Sequence, residues 1–499
     1  MPLIYIIKIL TSILLSAESY NMEFKSITMY ENSPFNYGIS DVWGYTDEYG
    51  NEYAIVGYLN GTKILDVSTN PESPIEIIDI PGPSDNDYYF HRDYKTLGDV
   101  LYTVCEMTGG DMGMQVIDLS PLPYSQPIQY PTYNYIGTSH NLWVDPDGYA
   151  YIEHGYGDAI NIADLSNPLY PIQAGSFGNL GSNTHDIFSH NNIAYVSNGW
   201  SENFLICDIS DFENIEILAT ISDGVTGYAH NAWLSENGDH LITTEETENR
   251  TVKIWNIEDL SNISLVGEYL AENGLAHNVH VMGNLVYISH YTTGIRIIDI
   301  FNPTYPVEVA GYDTYPQDDG AGYYGCWGVY PYTENGYVYA SDMQHGLYIL
   351  EFEPIYAGWL NGNIYDNSGN PIPNNSEIRA HLDNRVFYVE NDGFIHIGMP
   401  EGEHSFDLFL GDTNLGEFTI NFVAHQTINQ NIYMTGEILQ GDPSGDSLVN
   451  IIDILMIINV ITGQSTFNEI QFVSSDLNQD NNINILDIVL IVNIILGNI

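Results

Sequence analysis

The sequence has very few basic residues and few cysteines. It has 10 lysines and arginines against 66 acidic residues, a net charge of −56. Such a surface repels the phosphates of nucleic acids and anionic lipids, and it attracts cations. Three cysteines in 499 residues are too few for a disulfide framework. The sequence therefore speaks against nucleic-acid binding and predicts that Cys105, Cys207 and Cys326 are ordinary buried thiols.

Long apolar runs are also missing. The most apolar stretch, residues 483–496, is too short to span a membrane and contains Asn484, Asp487 and Asn493. Residues 1–18 combine a short apolar run with small residues around Ala17, which predicts a secretory signal peptide; a buried first strand is the alternative. We therefore expect an extracellular protein, either free or attached to the cell surface.

What the sequence does contain is a repeat. A β-like run followed by an acidic turn, such as KILDVSTNP at 63–71, recurs at spacings of 43 to 52 residues, the length of a four-stranded propeller blade. A hairpin rich in Tyr, Val and Ile precedes each turn. The acidic or amide position falls at Asp66, Asp118, Asp164, Asp208, Asn256, Asp299 and Glu351. These seven units predict a seven-bladed β-propeller over residues 22–354.

The ends of the repeat region predict how this ring closes. The seventh unit runs into a different sequence after Pro354 and lacks a fourth strand of its own. The segment EFKSITMYE at 23–31 is β-like and belongs to no repeat. We expect it to complete the seventh blade, because closure removes two exposed sheet edges.

The hairpins carry a column of histidines. One equivalent position holds a histidine in five units, and counting across each hairpin places further polar side chains opposite this column. All of them would gather at one mouth of the central channel if the first strand of each hairpin is innermost. The candidate residues are His91, His140, His154, His185, His230, Glu245, His277, His290 and Asp342.

The histidine column has two interpretations. Imidazoles and carboxylates on one axis could bind a divalent transition metal or act as general acids and bases. Alternatively, buried imidazoles could form hydrogen bonds that lock neighbouring blades together. The sequence has no GxSxG, HExxH, CxxC or P-loop motif, so we assign no catalytic residue.

The C-terminal region contains two twelve-residue segments, DPSGDSLVNIID at 442–453 and DLNQDNNINILD at 476–487. Each places oxygen-bearing side chains at positions 1, 3, 5, 9 and 12, a spacing that wraps a loop around a hard cation. Apolar helical stretches follow and end at Gly463 and Gly497. We expect two Ca²⁺ ions, held by Asp442, Ser444, Asp446, Leu448, Asn450 and Asp453 and by Asp476, Asn478, Asp480, Asn482, Asn484 and Asp487, with Leu448 and Asn482 using their backbone carbonyls.

Three stretches resemble known families. The acidic-turn repeats resemble LVIVD-repeat propellers, and their HN-containing hairpins resemble the secreted choice-of-anchor B family. Residues 355–436, with DNSGNPI at 366–372 and DGF at 392–394, resemble the carboxypeptidase-regulatory-like β-sandwich. Residues 438–499 resemble a type I dockerin, which implies calcium and a cohesin partner. The expected fold class is mainly β: a seven-bladed propeller plus a β-sandwich, with a small α-helical C-terminal module.

These features predict a non-enzymatic binding or scaffold protein. The propeller would be a recognition platform for a polysaccharide or protein ligand, and the calcium-ordered tail would attach it to a cohesin-like or cell-surface partner. The alternative is an extracellular hydrolase or lyase acting on polysaccharide, with a metal or His/Glu site at the channel mouth. A ring of histidines, each locked onto its own blade, would favour the first hypothesis; a single asymmetric pocket would favour the second.

Overall fold

We describe the protein from a computed structural model of the 499-residue chain. The predicted signal peptide at 1–18, His154 and Asp446 lie outside the described residues. The chain divides into two compact units, Met1–Pro354 and Ile355–Ile499. The structure describes residues 19–33, 37–83, 91–107, 112–153, 160–177, 184–271, 274–317, 320, 322–366, 369–411, 413–434, 439–444, 448–467 and 469–497.

The N-terminal unit is a β-propeller of seven antiparallel sheets. Two strands precede its first blade: β1 (Ser19–Tyr20) and β2 (Glu23–Thr28). Blades one to three contain β3 (Ile39–Thr46), β4 (Glu52–Tyr58), β5 (Gly61–Asp66) and β6 (Ile75–Pro81), then β7 (Arg92–Leu97), β8 (Val100–Cys105), β9 (Met114–Asp118) and β10 (Ile128–Tyr133), then β11 (Leu142–Val144), β12 (Tyr149–Glu153), β13 (Ile160–Asp164) and β14 (Ile172–Phe177).

The remaining blades continue in chain order. Blades four and five contain β15 (Asp186–His190), β16 (Ile193–Ser197), β17 (Phe204–Asp208) and β18 (Glu216–Ile221), then β19 (Ala229–Leu234), β20 (His240–Glu245), β21 (Val252–Asn256) and β22 (Ser264–Tyr269). Blades six and seven contain β23 (Val279–Met282), β24 (Leu285–Ser289), β25 (Ile295–Asp299) and β26 (Val307–Tyr312), then β27 (Cys326–Tyr330), β28 (Tyr337–Asp342) and β29 (Gly346–Glu351).

The first strands of the blades form the inner wall. Each contacts the first strand of the next blade, from β3 through β7, β11, β15, β19 and β23 to β27, and β27 contacts β3. This cyclic order confirms the predicted ring and places the start of every hairpin beside the central channel.

Two N-terminal strands pair with the last two blades of the ring. Strand β2 pairs with β29, with Glu23 opposite Glu351, which confirms that residues 23–28 supply the fourth strand of blade seven. Strand β1 was not predicted: it pairs with β26, with Tyr20 opposite Gly311, and adds a fifth strand to blade six. The chain therefore adds one strand to blade six and one strand to blade seven before it forms blade one.

The acidic repeat position has a structural role. It ends the third strand of a blade, where its side chain accepts a hydrogen bond from a backbone N–H two residues later, as from Ser120 to Asp118 at 2.9 Å and from Ser166 to Asp164 at 2.7 Å. Asp208, Asn256 and Asp299 do the same. This Asx-type turn favours Asp or Asn, which explains the repeat. The three cysteines are buried and free, as predicted.

The C-terminal unit begins with a β-sandwich. One sheet has the order β33-β30-β36, with β37 also on β30, and the other has the order β32-β31-β34-β35; Leu360, Ile378 and Phe406 belong to their shared core. The strands are β30 (Ala357–Tyr365), β31 (Glu377–Ala380), β32 (Val386–Tyr388), β33 (Phe394–Pro400), β34 (Gly402–Leu410), β35 (Thr413–Phe422), β36 (Thr427–Asn429) and β37 (Ile432–Tyr433), with a 3-10 turn at Asn391–Gly393.

Three helices follow: α1 (Ile451–Ile461), α2 (Glu469–Ser475) and α3 (Ile485–Ile495). Helices α1 and α3 are the predicted ones, and Gly463 and Gly497 after them have φ values of 71° and 68°. Helix α2 was not predicted. In the part of the chain that the structure describes, no helix has the length and apolar character of a membrane span.

Candidate functional site

A closed ring of six aromatic side chains lies at one mouth of the propeller channel. Its members come from the start of the first strands of six blades, and neighbouring ring centroids are 4.2 to 5.1 Å apart. The histidine ring, as we call it, consists of His91, His140, His185, His230, His277 and Trp327. The structure thus brings together the five column histidines that the sequence aligned.

A β-bulge or irregularity shifts the pairing of the first two strands in blades one, five and seven, and in blades five and seven it changes the predicted pairs. In blade five, Glu245 pairs with Ala229 rather than with His230, and in blade seven Asp342 pairs with Cys326 rather than with Trp327. The cross-hairpin counts for these two positions were therefore wrong. The bulge gives the inner strand one extra residue, which re-aims its side chain.

Four predicted residues do not line the cavity above the ring: His277, which belongs to the ring itself, and three residues that are bonded within their own blades. Glu245 pairs with buried Lys253 and accepts a bond from the Thr226 N–H. The Nδ1 atom of His290 lies 3.0 Å from the Thr293 hydroxyl. Asp342 accepts bonds from the backbone N–H groups of Gln344 and His345. The structure therefore places Glu245, His290 and Asp342 in bonds within their own blades and outside the lining of this cavity.

Four of the five ring histidines are anchored through Nδ1. His185 donates to the carbonyl of His230 at 3.0 Å, and His277 donates to the carbonyl of Trp327 at 2.5 Å. Since a carbonyl only accepts, Nδ1 carries the proton and Nε2 keeps a lone pair. Burial lowers the pKa of His185 to about 3 and holds the pKa of His277 well below its ordinary value, so both are neutral at pH 7.

Glu106 anchors the other two histidines. Its carboxylate lies 2.8 Å from Nδ1 of His91 and 2.9 Å from Nδ1 of His140. Burial opposes the charge on Glu106, but these hydrogen bonds outweigh it and lower its pKa well below the ordinary value. Burial also opposes a charge on His140, yet Glu106 raises the pKa of His140 to about 9. Burial lowers the pKa of His91. At pH 7 the arrangement is an ion pair between Glu106 and His140, with a neutral His91 beside it.

A cavity of about 330 Å³ lies over the ring. Aromatic side chains form much of its wall, and Trp200 at its rim is 71% exposed. Its one carboxylate is Glu246, which accepts a hydrogen bond from the Tyr291 hydroxyl. Burial raises the pKa of Glu246 to about 7. The lining residues are Tyr37, His91, His140, His185, Trp200, Tyr228, His230, Glu246, Tyr291, Tyr323, Trp327 and Met343.

Below the ring, the channel narrows to a chamber of about 30 Å³, which has room for about one water molecule. Lys95 lies there, 2.6 Å from Asp93 and over the ring of Trp43. Burial opposes its charge, but Asp93 and Asp41 outweigh burial and raise the pKa of Lys95. The ring is therefore the floor of the outer cavity, and a buried ion pair lies beneath it.

Hydrogen bonds at the same level join the blades. Asn141 donates to the carbonyl of His185, and Asn231 donates to Asp186 at 2.6 Å. Asn231 also accepts from the N–H of Val279. These bonds cross from blade to blade and match the interpretation that the residues beside the histidines lock the ring.

Sequence reasoning missed the two carboxylates that matter most at this mouth. Glu106 lies opposite His91 in the hairpin of blade two, so the same counting would have found it. Glu246 follows Glu245 by one residue, and only the bulge in blade five brings it to the cavity.

The two C-terminal loops form a second candidate site. In the second loop, Asp487 accepts from the N–H groups of Leu477 and Asn484, and Asp476 accepts from those of Asp480 and Asn481. Asn481 has a φ of 59°, the left-handed conformation that position 6 requires. In the first loop, Asp453 accepts from Ser444 and Asn450 in the same way.

The donor chemistry of these loops fits Ca²⁺. Asn450 and Asn484 cap helices α1 and α3, each in a reciprocal capping box with the aspartate at position 12. The carbonyls of Leu448 and Asn482 accept bonds from the side chains at position 9. The sequence has no lysine or arginine after Arg385, so no basic side chain of this region neutralises the loops. A hard divalent cation is the natural counterion for such oxygen sets.

Comparisons with known proteins identify two segments. Residues 440–496 match the model of the dockerin type I domain, and residues 273–314, which cover blade six, match the LVIVD repeat. No curated protein matches the chain. Among solved structures, the Myceliophteria thermophila Cps50 (Swd1) β-propeller domain aligns at 13% identity and a TM-score of 0.47, over 66% of this chain and 99% of that one. Residues 440–496 are therefore similar to dockerin type I domains, a class that in general binds calcium and cohesin partners.

Proposed function

We propose that this protein is a secreted, dockerin-tethered binding protein whose propeller holds a neutral saccharide in the cavity over the histidine ring. The observation that best supports this proposal is the cavity itself, which has a volume of about 330 Å³. Aromatic side chains form its wall, and imidazoles and one carboxylate among the described residues lie at its floor. Its volume is at the small end for ligand sites, which suits a sugar unit rather than a folded protein.

The ligand class follows from shape and charge. Exposed Trp200 packs edge-on against Tyr228, with ring centroids 4.8 Å apart, and presents an apolar face at the rim. Aromatic faces bind the C–H faces of sugars, while imidazole and carboxylate groups bind their hydroxyls. A net charge of −56 disfavours polyanionic ligands. Neutral oligosaccharides are therefore the best match.

The rest of the chain would position this site. The dockerin domain would attach the protein to a cohesin-like or cell-surface partner through helices ordered by two Ca²⁺ ions. The sandwich at 355–436 would act as a spacer of the carboxypeptidase-regulatory-like type, and the propeller would belong to the choice-of-anchor B family. Anchoring of four ring histidines, His91 and His140 by Glu106 and the other two by neighbouring backbone carbonyls, supports a binding scaffold rather than an enzyme.

One observation supports the enzymatic alternative. Glu246, with a pKa raised to about 7 by burial, faces the cavity and could exchange a proton near neutral pH. A polysaccharide hydrolase or lyase would place its reaction there, so the binding experiment must also detect cleavage.

The test is calorimetric titration of the full chain, with calcium present, against a panel of neutral oligosaccharides. Trp200→Ala should weaken binding about fivefold or more, because truncating an aromatic anchor typically costs more than ~1 kcal/mol. Tyr170→Ala, at an exposed tyrosine outside the cavity, is the matched control. Absence of binding, or equal binding by Trp200→Ala, would contradict the proposal. Shortening of the oligosaccharide during the titration would favour the enzyme.

A further inference from the structure

One side of the histidine ring brings together three potential metal ligands. His230 and Glu246 belong to blade five and His277 to blade six, and one ligand atom of each lies within 4.8 Å of the other two. The Nε2 atom of His230 is 3.6 Å from the Glu246 carboxylate. Both histidines are only 2% exposed. Two imidazoles and one carboxylate therefore converge, and both imidazoles are buried.

The Nε2 atom of His277 is unsatisfied. Its Nδ1 donates to the Trp327 carbonyl, so Nε2 keeps its lone pair. That atom is buried and has no hydrogen-bond partner among the described residues. A buried polar atom without a partner costs roughly 1–3 kcal/mol, and such an atom in a folded protein calls for an explanation such as a bound ion.

The hydrogen-bond and salt-bridge partners of Glu246 also support a bound metal ion. Of the described lysines and arginines, none forms a salt bridge with Glu246. The site thus offers two imidazoles and a carboxylate that accepts a hydrogen bond from the Tyr291 hydroxyl and has no lysine or arginine partner among the described residues.

We propose that His230, His277 and Glu246 bind one divalent transition metal ion at the floor of the outer cavity. Two imidazole nitrogens and one carboxylate suit Zn²⁺, Fe²⁺ or Mn²⁺, whereas Ca²⁺ takes oxygen ligands. Tetrahedral bonds of about 2.0–2.2 Å would place the ligand atoms roughly 3.3–3.6 Å apart, close to the His230–Glu246 distance. The remaining coordination positions would face the cavity that His230 and Glu246 line.

The other histidine pair of the ring provides a contrast. His91, Glu106 and His140 also place three donor atoms close together. There, however, both Nδ1 atoms face Glu106 at hydrogen-bond distance, so the carboxylate is already satisfied by protons. The transition metal is therefore assigned to blades five and six only.

The test uses the full chain stripped of transition metals and supplied with excess Ca²⁺ to fill the dockerin loops. Titration with Co²⁺, followed by visible absorption and by elemental analysis, should show one equivalent with nitrogen ligation, displaced by Zn²⁺. Loss of a hydrogen-bond partner of a metal ligand costs about 10–100-fold in affinity. His277→Gln and Glu246→Gln each remove a ligand itself, so we expect a loss of on the order of 100-fold or more.

His290→Gln is the matched control, because His290 is buried in the same blade as His277 but does not belong to the cluster of His230, His277 and Glu246. It should bind Co²⁺ as tightly as the native chain. Failure of the folded native chain to bind Co²⁺, or unchanged binding by both ligand variants, would overturn the proposal. If His277→Gln does not fold, Glu246→Gln decides the matter. Saccharide titration of the metal-free chain separates this inference from the proposed function, which does not depend on the metal.

Discussion

The propeller and the dockerin domain are both built from repeats, but they assemble their sites differently. In a dockerin loop, the oxygen-bearing side chains come from twelve consecutive residues and bond to the loop's own backbone, as in the bonds from Leu477 and Asn484 to Asp487. In the histidine ring, each imidazole comes from a different blade, and the anchor of His185 is the backbone of the next blade. The dockerin loop is thus determined locally, whereas the ring exists only once the propeller has closed.

The two regions also differ in their source of positive charge. The ring has its own cations, because Glu106 raises the pKa of His140 and Lys95 lies below the ring with Asp93. The dockerin domain has none, since lysine and arginine are absent after Arg385. We therefore expect the dockerin domain to depend on ions from solution and the propeller fold to depend on its internal hydrogen bonds.

Removing calcium should produce the largest effect. Chelation of Ca²⁺ in the full chain leaves the loop carboxylates unneutralised, so helices α1 and α3 should lose their order. Hydrogen exchange of peptides from Ile451–Ile461 and Ile485–Ile495 should accelerate on the order of 100-fold or more. Peptides from Leu285–Ser289, in the propeller, are the internal control and should not change. If hydrogen exchange in the helices is equally slow with and without calcium, the dockerin domain does not depend on ions from solution and the proposed difference between the two regions is wrong.

Replacing Glu106 should have the next largest effect, and it reports on the ring. His140 has a folded pKa of about 9 and an unfolded pKa of about 6.5, so between these values the folded state holds an extra proton. The unfolding free energy of the native chain should therefore fall as pH rises through this window, by up to about 1.4 kcal/mol per unit. In Glu106→Gln this slope should disappear, because Glu106 causes the raised pKa.

Urea unfolding with Ca²⁺ present, from pH 6.5 to 9, measures this slope. Glu106→Gln should also lower the unfolding free energy at pH 7 by roughly 1–3 kcal/mol, since it removes a charged acceptor for two imidazoles. Glu216→Gln, at an exposed glutamate, should retain the native slope. A slope that survives in Glu106→Gln would mean that other groups in the propeller produce it.

The repeats explain how much of this structure was predictable. The acidic turns and hairpins predict seven blades because each repeat encodes the same local bonds, such as the Asx turn at Asp118. The strand at 23–28 was predictable because it was the one β-like segment without a repeat. Strand β1, with two residues, carries no such pattern, and its position depends on pairing with β26.

The site was predictable only in part, and for a physical reason. Counting across a hairpin assumes a regular ladder, so it aligned the histidines correctly but assigned Glu245 instead of Glu246 to the channel mouth. The bulge that makes the difference arises from packing around the channel, which no single hairpin encodes. Likewise, the Nδ1 anchors of His185 and His277 are backbone carbonyls of neighbouring blades, which leave no mark in the sequence.

The smallest expected effect tests how local the calcium sites are. Asn481 adopts a φ of 59°, and its N–H donates to Asp476 at 2.8 Å. Alanine in the left-handed conformation costs about 1 kcal/mol more than asparagine or glycine. Asn481→Ala should therefore lower the Ca²⁺ affinity of one of the two loops about fivefold. Asn481→Gly should change its affinity less than about twofold. Calorimetric titration of the full chain with Ca²⁺ resolves the two sites, and weakening of both by Asn481→Ala would show that the loops are coupled and not determined separately.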